Sequence, residues 1–352
     1  MIPSIAKPTF KGLIELREPF VVQGPPAVAK TDTIKQAALD AGVSPENTHV
    51  FHAAVMDPTD VKGLGALVNG NAEFVPFGKL KQLVDATEPT LGFFDDIGHG
   101  TATVQASIMQ LFLERACNGT ALSPMVALAA ATNRKGDKAG VRGLITPLLS
   151  RFTTILEMEV SVEDWVRWAF ENKMPPEVIS FIRFRPALLH DWKPDAVDAK
   201  GNTMVNQPTP RTVAAVGRLF RSGNKYLRAH EVLAGAAGES FATEFLGFVA
   251  LMAQLGDLPM RISKGQANGV DCPADPSTLF ALTGALSNMA ARGDSEWAAI
   301  AKWGSEYLPP EYQLRLLKDV EDKYGDTLVE TRPFVEWQLQ ANAYSTSIAG
   351  GA

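Results

Sequence analysis

The sequence predicts an α/β fold, with a mainly parallel β-sheet covered by helices on both faces and a mostly helical second half. Three observations carry this. Five short apolar runs, at 19–23, 49–55, 91–94, 125–131 and 152–158, have the length and apolar content of buried strands, and helix-like stretches separate them. That alternation is the pattern of βαβ units. The first run enters a Gly/Pro loop that leaves through Lys30-Thr31 into a helix-like stretch. After Val160 the strand signal fades, so the α/β organisation occupies roughly residues 1–160.

The elements follow in order. Residues 31–41 read as a helix, with Gly42 placed as its C-terminal cap. Between the second and third apolar runs, Asn69-Gly70 lies between Ala66-Leu67-Val68 and Phe74-Val75. Asn-Gly favours the positive φ values of a tight turn, so this stretch reads as an inserted β-hairpin; an ordinary surface loop is the alternative. Residues 103–115 place Val104, Ile108, Leu111 and Phe112 at helical spacing. Helices are expected over 162–172 and 175–184, parted by Met174-Pro175-Pro176, and the polar, Pro- and Gly-containing stretch 191–209 reads as a loop. Further helices are expected at 212–221, 231–233, 241–255, 277–291 and 310–324. No internal repeat or low-complexity tract stands out.

Composition narrows the class. A chain of 352 residues suits one large domain with a lid, or two to three smaller units. The hydrophobic fraction of 46% suits a globular protein with a substantial core. The net charge of −6 does not point to a nucleic-acid coat, although a local basic channel stays open. The two cysteines, Cys117 and Cys272, suggest neither a disulfide scaffold nor a zinc site, and a reducing cytoplasm is the expected compartment. No stretch reaches the ~18 uninterrupted apolar residues of a membrane span, and the N-terminal segment lacks the apolar core of a signal peptide.

The loop Gly24-Pro25-Pro26-Ala27-Val28-Ala29-Lys30-Thr31 has the layout of a phosphate-binding P-loop. Such a loop turns backbone N–H groups toward phosphates, with a lysine on the β/γ oxygens and a hydroxyl on magnesium. The strict pattern asks for glycine at position 29. A methyl group penalises left-handed backbone by roughly 1–2 kcal/mol, so Ala27 and Ala29 would strain the loop or weaken phosphate binding if either needs φ > 0. A Gly/Pro turn that happens to precede Lys-Thr is the alternative. About 65 residues after the lysine, the apolar run 91–94 ends in Asp95-Asp96. In a P-loop nucleotidase the first acid holds magnesium and the second polarises the attacking water; a plain Asp-Asp turn is the alternative. Asn133, just past the fourth run, has an amide suited to a water or a γ-phosphate, or simply ends a strand. Arg151, before the fifth run, suits charge developing on a phosphoryl group, or a surface salt bridge. Arg211 opens a helix after the long loop, where it can meet an anion or lie solvated.

Other residues carry less. His99 with Asp95 and Asp96 makes a thin case for a transition metal, and His49 and His52 read as packing or satisfied polar groups. The spacing of Trp165, Trp168 and Phe170 suits a buried helix face better than a base-stacking platform. Gly235-Ala236-Ala237-Gly238-Glu239 lacks a following Lys-Ser/Thr and reads as a helix junction.

Taken in order, GPPAVAKT (24–31), DPTDVKGLG (57–65), FFDDI (93–97), ATNR (131–134), LLSRF (148–152) and TPRT (209–212) resemble the motifs of the AAA+ ATPases, most closely the MoxR/RavA-like branch. They cover about residues 20–220, roughly 60% of the chain. The resemblance implies a P-loop core with a five-stranded sheet in the order 5-1-4-3-2, followed by a helical lid and a helical C-terminal region. The implied division is a nucleotide-binding core over 1–160, a lid over 161–260 and an extension over 261–352. It implies ATP and Mg²⁺ as ligands, with the loop 24–31 as Walker A, Thr31 and Asp95 on the metal, and Asp96 in place of the usual catalytic glutamate. Asn133 looks like sensor 1, Arg151 like an arginine finger acting on a neighbouring subunit, with Arg142 second choice, and Arg211 like sensor 2. The Asn69-Gly70 hairpin looks like the clade's helix-2 insert. A cytoplasmic homo-oligomer, a hexameric ring, and a protein client follow by resemblance, the client in this branch being often a von Willebrand factor A-domain protein. Two departures are plain. Most relatives have glycine at position 27, and Asp96 is one methylene shorter than glutamate. They leave open a nucleotide-binding subunit with little turnover, and the LLSRF segment leaves open a nucleic-acid motor of phage or mobile-element origin.

Overall fold

A computed structural model describes residues 1–137, 142–194, 196, 205–290 and 293–349. The chain divides into two compact units, one built on Met1–Asp164 and the other on Trp165–Trp192 with the described residues from 196 on.

The first unit runs α1 (Pro3–Leu16), β1 (Phe20–Gly24), α2 (Lys30–Asp40), β2 (Thr48–His52), α3 (Thr59–Lys62), β3 (Leu64–Val68), β4 (Asn71–Val75), α4 (Gly78–Val84), β5 (Thr90–Asp95), α5 (Ala102–Glu114), β6 (Ala116–Cys117), β7 (Thr120–Ala121), β8 (Val126–Asn133), α6 (Thr146–Leu149) and β9 (Thr154–Glu157). Five strands form a parallel sheet in the order β2-β5-β8-β1-β9. Counted among the sheet strands alone and read from the β9 edge, this is 5-1-4-3-2, the order the resemblance implies. Five predicted strands are present, each with ends shifted by a few residues. The second is the most altered, because 53–55 leaves the sheet as a 3₁₀ turn.

Successive side chains of a strand point to opposite faces, and the two cores show this directly. Phe20, Val22 and Phe93 join Ala6, Phe10, Ile14 and Ile34 beneath α1 and α2. Val21 and Phe94 face the other way, with Val104, Ile108, Leu111, Phe112 and Phe152. There an aromatic chain runs Phe51–Phe94–Phe112–Phe152, with centroids 4.7, 5.4 and 5.0 Å apart. With both faces covered, the strands read as apolar runs rather than alternating ones, which is why the sequence showed them. Helix α1 was not predicted. It carries Pro8 in its interior, which masks its pattern, yet Ala6, Phe10 and Ile14 recur every four residues and are buried.

The hairpin expected at Asn69-Gly70 is formed by β3 and β4, paired antiparallel with Val68 opposite Asn71. Asn69 has φ 52° and Gly70 φ 84°, the pair of positive values a two-residue turn of this kind needs. Its side chains are mostly exposed, Leu67 at 81% and Phe74 at 52%.

The second unit is helical among its described residues: α7 (Val162–Glu171), α8 (Pro176–Phe184), α9 (Pro210–Arg221), α10 (His230–Ala237), α11 (Glu239–Gln254), α12 (Leu258–Ser263), α13 (Pro276–Met289), α14 (Asp294–Tyr307), α15 (Pro310–Tyr324), α16 (Asp326–Val329) and α17 (Arg332–Ala349). Phe181 anchors it, with the rings of Phe241, Phe245 and Phe248 5.3, 5.4 and 5.7 Å away. Arg183 pairs with Asp319 and, at 2.7 Å, with Asp322. Gly238, at φ 95°, joins α10 to α11 at the predicted junction. Of the predicted loop 191–209, residues 195 and 197–204 lie outside the described residues; 191–194 and 205–209 hold neither helix nor strand. Ala291, the predicted end of the 277–291 helix, also lies outside them. Among the described residues, no helix is long and apolar enough to cross a membrane.

Candidate functional site

The site is built where β1, β5 and β8 end. Parallel strands point their C-terminal ends the same way, and ligands of open α/β sheets bind there. Gly24 closes β1 because no side chain fits: a Cβ would stand 2.5 Å from Met158 O. The chain then bends through Pro25 and Pro26 and enters α2 at Lys30. Ala27 and Ala29 both adopt left-handed backbone, with φ 63° and 66°. The condition under which their methyls strain the loop is therefore met at both positions, at roughly 1–2 kcal/mol each. Ala29 is the N-cap of α2 and offers no side-chain acceptor to its first turn. The N-terminal dipole thus faces the loop without a protein side chain to cap it.

Lys30 is only 8% exposed. Its ammonium donates to Gly24 O at 2.9 Å, to Pro25 O at 2.8 Å and to Asn133 Oδ1 at 2.8 Å. Asn133 reaches it because the β1–β8 register sets Gly24 beside Asn133. Thr31 Oγ1 donates to Asp95 Oδ2 at 2.9 Å, and Asp95 Oδ1 accepts from the Asp96 amide at 3.1 Å. Two hydrogen-bonded groups therefore collect Gly24, Pro25, Lys30 and Asn133, and Thr31 with Asp95, at the ends of three adjacent strands.

Asp96 leaves the strand with φ 52° and ψ 39°, a left-handed conformation that aspartate tolerates better than most residues. Its carboxylate is half exposed, and Oδ1 lies 3.7 Å from His99 Nδ1. Among the described residues no group of three metal-ligating side chains occurs, so the thin transition-metal case gains nothing.

The arginines stand apart from this hydrogen-bonded set. Arg151 follows α6; its amide donates to Leu148 O at 3.0 Å and its guanidinium to Ser150 Oγ at 3.0 Å. Arg142 is exposed, and its amide donates to Gly98 O at 3.0 Å. Among the described residues neither has an ion-pair partner. Arg211 belongs to the second unit, in the first turn of α9. Thr209 and Thr212 cap that helix reciprocally.

Gln105 was not singled out from the sequence. It is 2% exposed on α5. Its amide donates to Gly100 O at 3.1 Å and Gly143 O at 2.9 Å, and accepts from Ile145 N at 2.9 Å. The available signal was a lone amide beside Val104 on the apolar face that continues through Ile108 and Leu111. Arg134, next to Asn133, pairs with Glu157 at 2.5 Å and ties the ends of β8 and β9 together.

Strand order, loop and helical second half define the fold class: an α/β core on a five-stranded parallel sheet, whose first strand leads through a Gly/Pro loop into a helix at Lys30, followed by a helical region. Neither a protein-family model nor a curated protein matches the chain. Among solved structures, it is similar to a point mutant of RuvB from Thermotoga maritima, at 16% identity over 80% of each chain with a TM-score of 0.42. The Holliday junction branch migration motor RuvB from the same organism gives 16% identity, 81% and 80% coverage and a TM-score of 0.40. NtrX from Brucella abortus in complex with ATP gives 14% identity, 81% of this chain, 67% of that chain and a TM-score of 0.40.

Proposed function

We propose that this protein is a magnesium-dependent ATPase that assembles into a homo-oligomeric ring, a hexamer, and remodels a protein partner in the manner of the MoxR-like branch. The observation that carries the reading is the convergence of Lys30, Asn133, Thr31 and Asp95 at the ends of adjacent strands. In this reading residues 1–160 bind nucleotide, 161–260 form the lid and 261–352 the extension.

The donors suit the ligands. Backbone N–H groups of residues 27–31, at the uncapped start of α2, would face a phosphate, and Lys30 gives it a fixed positive charge. The Thr31 hydroxyl and an Asp95 carboxylate oxygen, 2.9 Å apart, are hard oxygen donors of the kind Mg²⁺ takes. When bound, the ion would neutralise charge on the β- and γ-phosphate oxygens. Lys30 turns from the Gly24 and Pro25 carbonyls toward the phosphates. Asn133 orients the attacking water, and Asp96 accepts its proton. Arg151, with Arg142 as the second choice, reaches the phosphate of a neighbouring copy, and Arg211 serves as sensor 2. The exposed hairpin, with Leu67 and Phe74 outward, touches the client.

Two observations favour a second reading, a nucleotide-binding subunit with little turnover: both loop alanines are left-handed, and Asp96 is a short acid. Steady-state hydrolysis separates the two. Magnesium-dependent turnover that rises with protein concentration and disappears in Lys30→Ala and Arg151→Ala supports the ATPase. Saturable ATP binding without turnover at any protein concentration supports the second reading. Absence of both rejects the nucleotide site altogether.

A further inference from the structure

Gln105 sits on the first turn of α5 and is bonded to Gly100, the end of the turn that begins at Asp96. Packing alone gives no reason for an amide there. The same face holds Val104, Ile108 and Leu111, and a buried amide is unfavourable unless its hydrogen bonds are made. Gln105 makes three, one to Gly100 and two to Gly143 and Ile145.

Those partners lie in two segments that matter to the proposed reaction. Gly100 ends the turn that begins at Asp96, a turn closed by the His99 amide on Asp96 O at 2.8 Å. Gly143 and Ile145 belong to the segment that starts at Arg142 and runs through α6 to Arg151. A further bond, Arg142 N to Gly98 O at 3.0 Å, crosses the same seam. The far end of the arginine segment is fixed as well, since Leu148 is fully buried and Phe152 packs on Phe112 at 5.0 Å. The Gln105 side chain therefore reinforces, beside that backbone bond, the connection between the acid-bearing turn and the arginine-bearing segment.

We infer that Gln105 is a positioning residue: it makes the Asp96–Gly100 turn and the segment from Arg142 to Arg151 move as one piece. Nucleotide at Asp95 and Asp96 then alters the placement of the arginines offered to the neighbouring copy. This rests on the ATPase reading. Coupling of this kind needs a contiguous physical connection; beside the Arg142–Gly98 bond, the amide supplies two further bonds to the arginine-bearing segment that an apolar side chain of equal size would not.

The test is hydrogen exchange over residues 142–151 with and without ATP–Mg²⁺, together with nucleotide Kd and kcat, in the full-length wild type, Gln105→Met and Gln105→Glu. Met keeps the volume and removes all three bonds; Glu keeps the acceptor for Ile145 N. In the wild type ATP–Mg²⁺ is expected to slow exchange in 142–151. In Gln105→Met, which leaves only the Arg142–Gly98 bond across the seam, that response is weakened and kcat falls about tenfold to a hundredfold, the size expected of ångström-scale misplacement, while Kd stays within about threefold. Gln105→Glu keeps the Ile145 bond but sets a carboxylate oxygen against the Gly100 and Gly143 carbonyls, so it too is expected to weaken the response, and it decides the matter if Gln105→Met does not fold. A wild type that binds ATP without any response in 142–151 overturns the inference, as does a folded variant with wild-type response and kcat. A wild type that binds no ATP overturns the ATPase reading first, and this inference with it.

Discussion

Lys30 Nζ lies 2.8 Å from Asn133 Oδ1 and so ties the bend after β1 to the tip of β8. An ammonium has three donors, and Gly24 O, Pro25 O and Asn133 Oδ1 accept from it. If the loop binds phosphate as proposed, the ammonium exchanges two acceptors of the bend and one at the tip of β8 for phosphate oxygens.

Asn133→Ala removes one of those acceptors without touching the loop backbone. Nucleotide Kd is expected to change by less than about threefold, while kcat falls by about tenfold to a hundredfold because the water loses its orienting amide. Parallel binding and turnover measurements check this. An equal loss in both would assign the amide to binding.

Ala27→Gly and Ala29→Gly each relieve left-handed strain of roughly 1–2 kcal/mol, offset by about 0.5–1 kcal/mol of glycine backbone entropy. Each is expected to stabilise the first unit by about 0.5–1 kcal/mol, a rise in its melting temperature of about 2 °C, and to tighten nucleotide binding. Ala27→Val, β-branched at φ 63°, should lower the melting temperature. Thermal melts of the three variants decide it.

Asp96→Asn preserves the left-handed turn, because asparagine tolerates φ near 52° as aspartate does. Folding and nucleotide Kd are expected to stay near wild type, with turnover reduced on the order of a hundredfold by loss of the base. Asp96→Glu brings the longer acid but a residue less suited to that backbone. Its turnover is expected to rise while its melting temperature drops. Kinetics alongside melts separate the two effects.

Lys323, partly buried in the second unit, has its pKa pushed down from 10.5 to about 8 by loss of hydration. The folded value is the lower one, so between about pH 8 and 10.5 the unfolded chain binds more protons and this group makes stability rise with pH. Below pH 8 the lysine is charged in both states and the penalty is constant. The melting temperature of wild type relative to Lys323→Met is therefore expected to climb between pH 7.5 and 9.5, by on the order of 2–4 °C. A difference that stays flat over that range contradicts the burial of this charge.

Much of the core was readable because a parallel sheet covered on both faces writes its strands as apolar runs. Phe20 to Val22 and Val126 to Ala131 are buried throughout, and each run stands out from the polar turns beside it. The Asn69-Gly70 turn was readable for a local reason, the two positive φ values that these residues permit. What escaped depended on contacts far apart in sequence. Helix α1 hides its stripe behind Pro8, and α14 interleaves Trp297, Ile300 and Trp303 with charges. The importance of Gln105 depends on Gly143 and Ile145, residues 38 and 40 positions away. The loop's residue types pointed to phosphate, but only the backbone shows that both alanines are left-handed.

The most direct measurement is a calorimetric titration of ATP–Mg²⁺ into the wild type and into Lys30→Ala. Saturable heat with about one nucleotide per chain in the wild type, weakened on the order of a hundredfold or more without the Lys30 ammonium, is the expected result. No heat from the wild type, or equal affinity in the two proteins, would contradict the reading of residues 24–31 as a phosphate cradle.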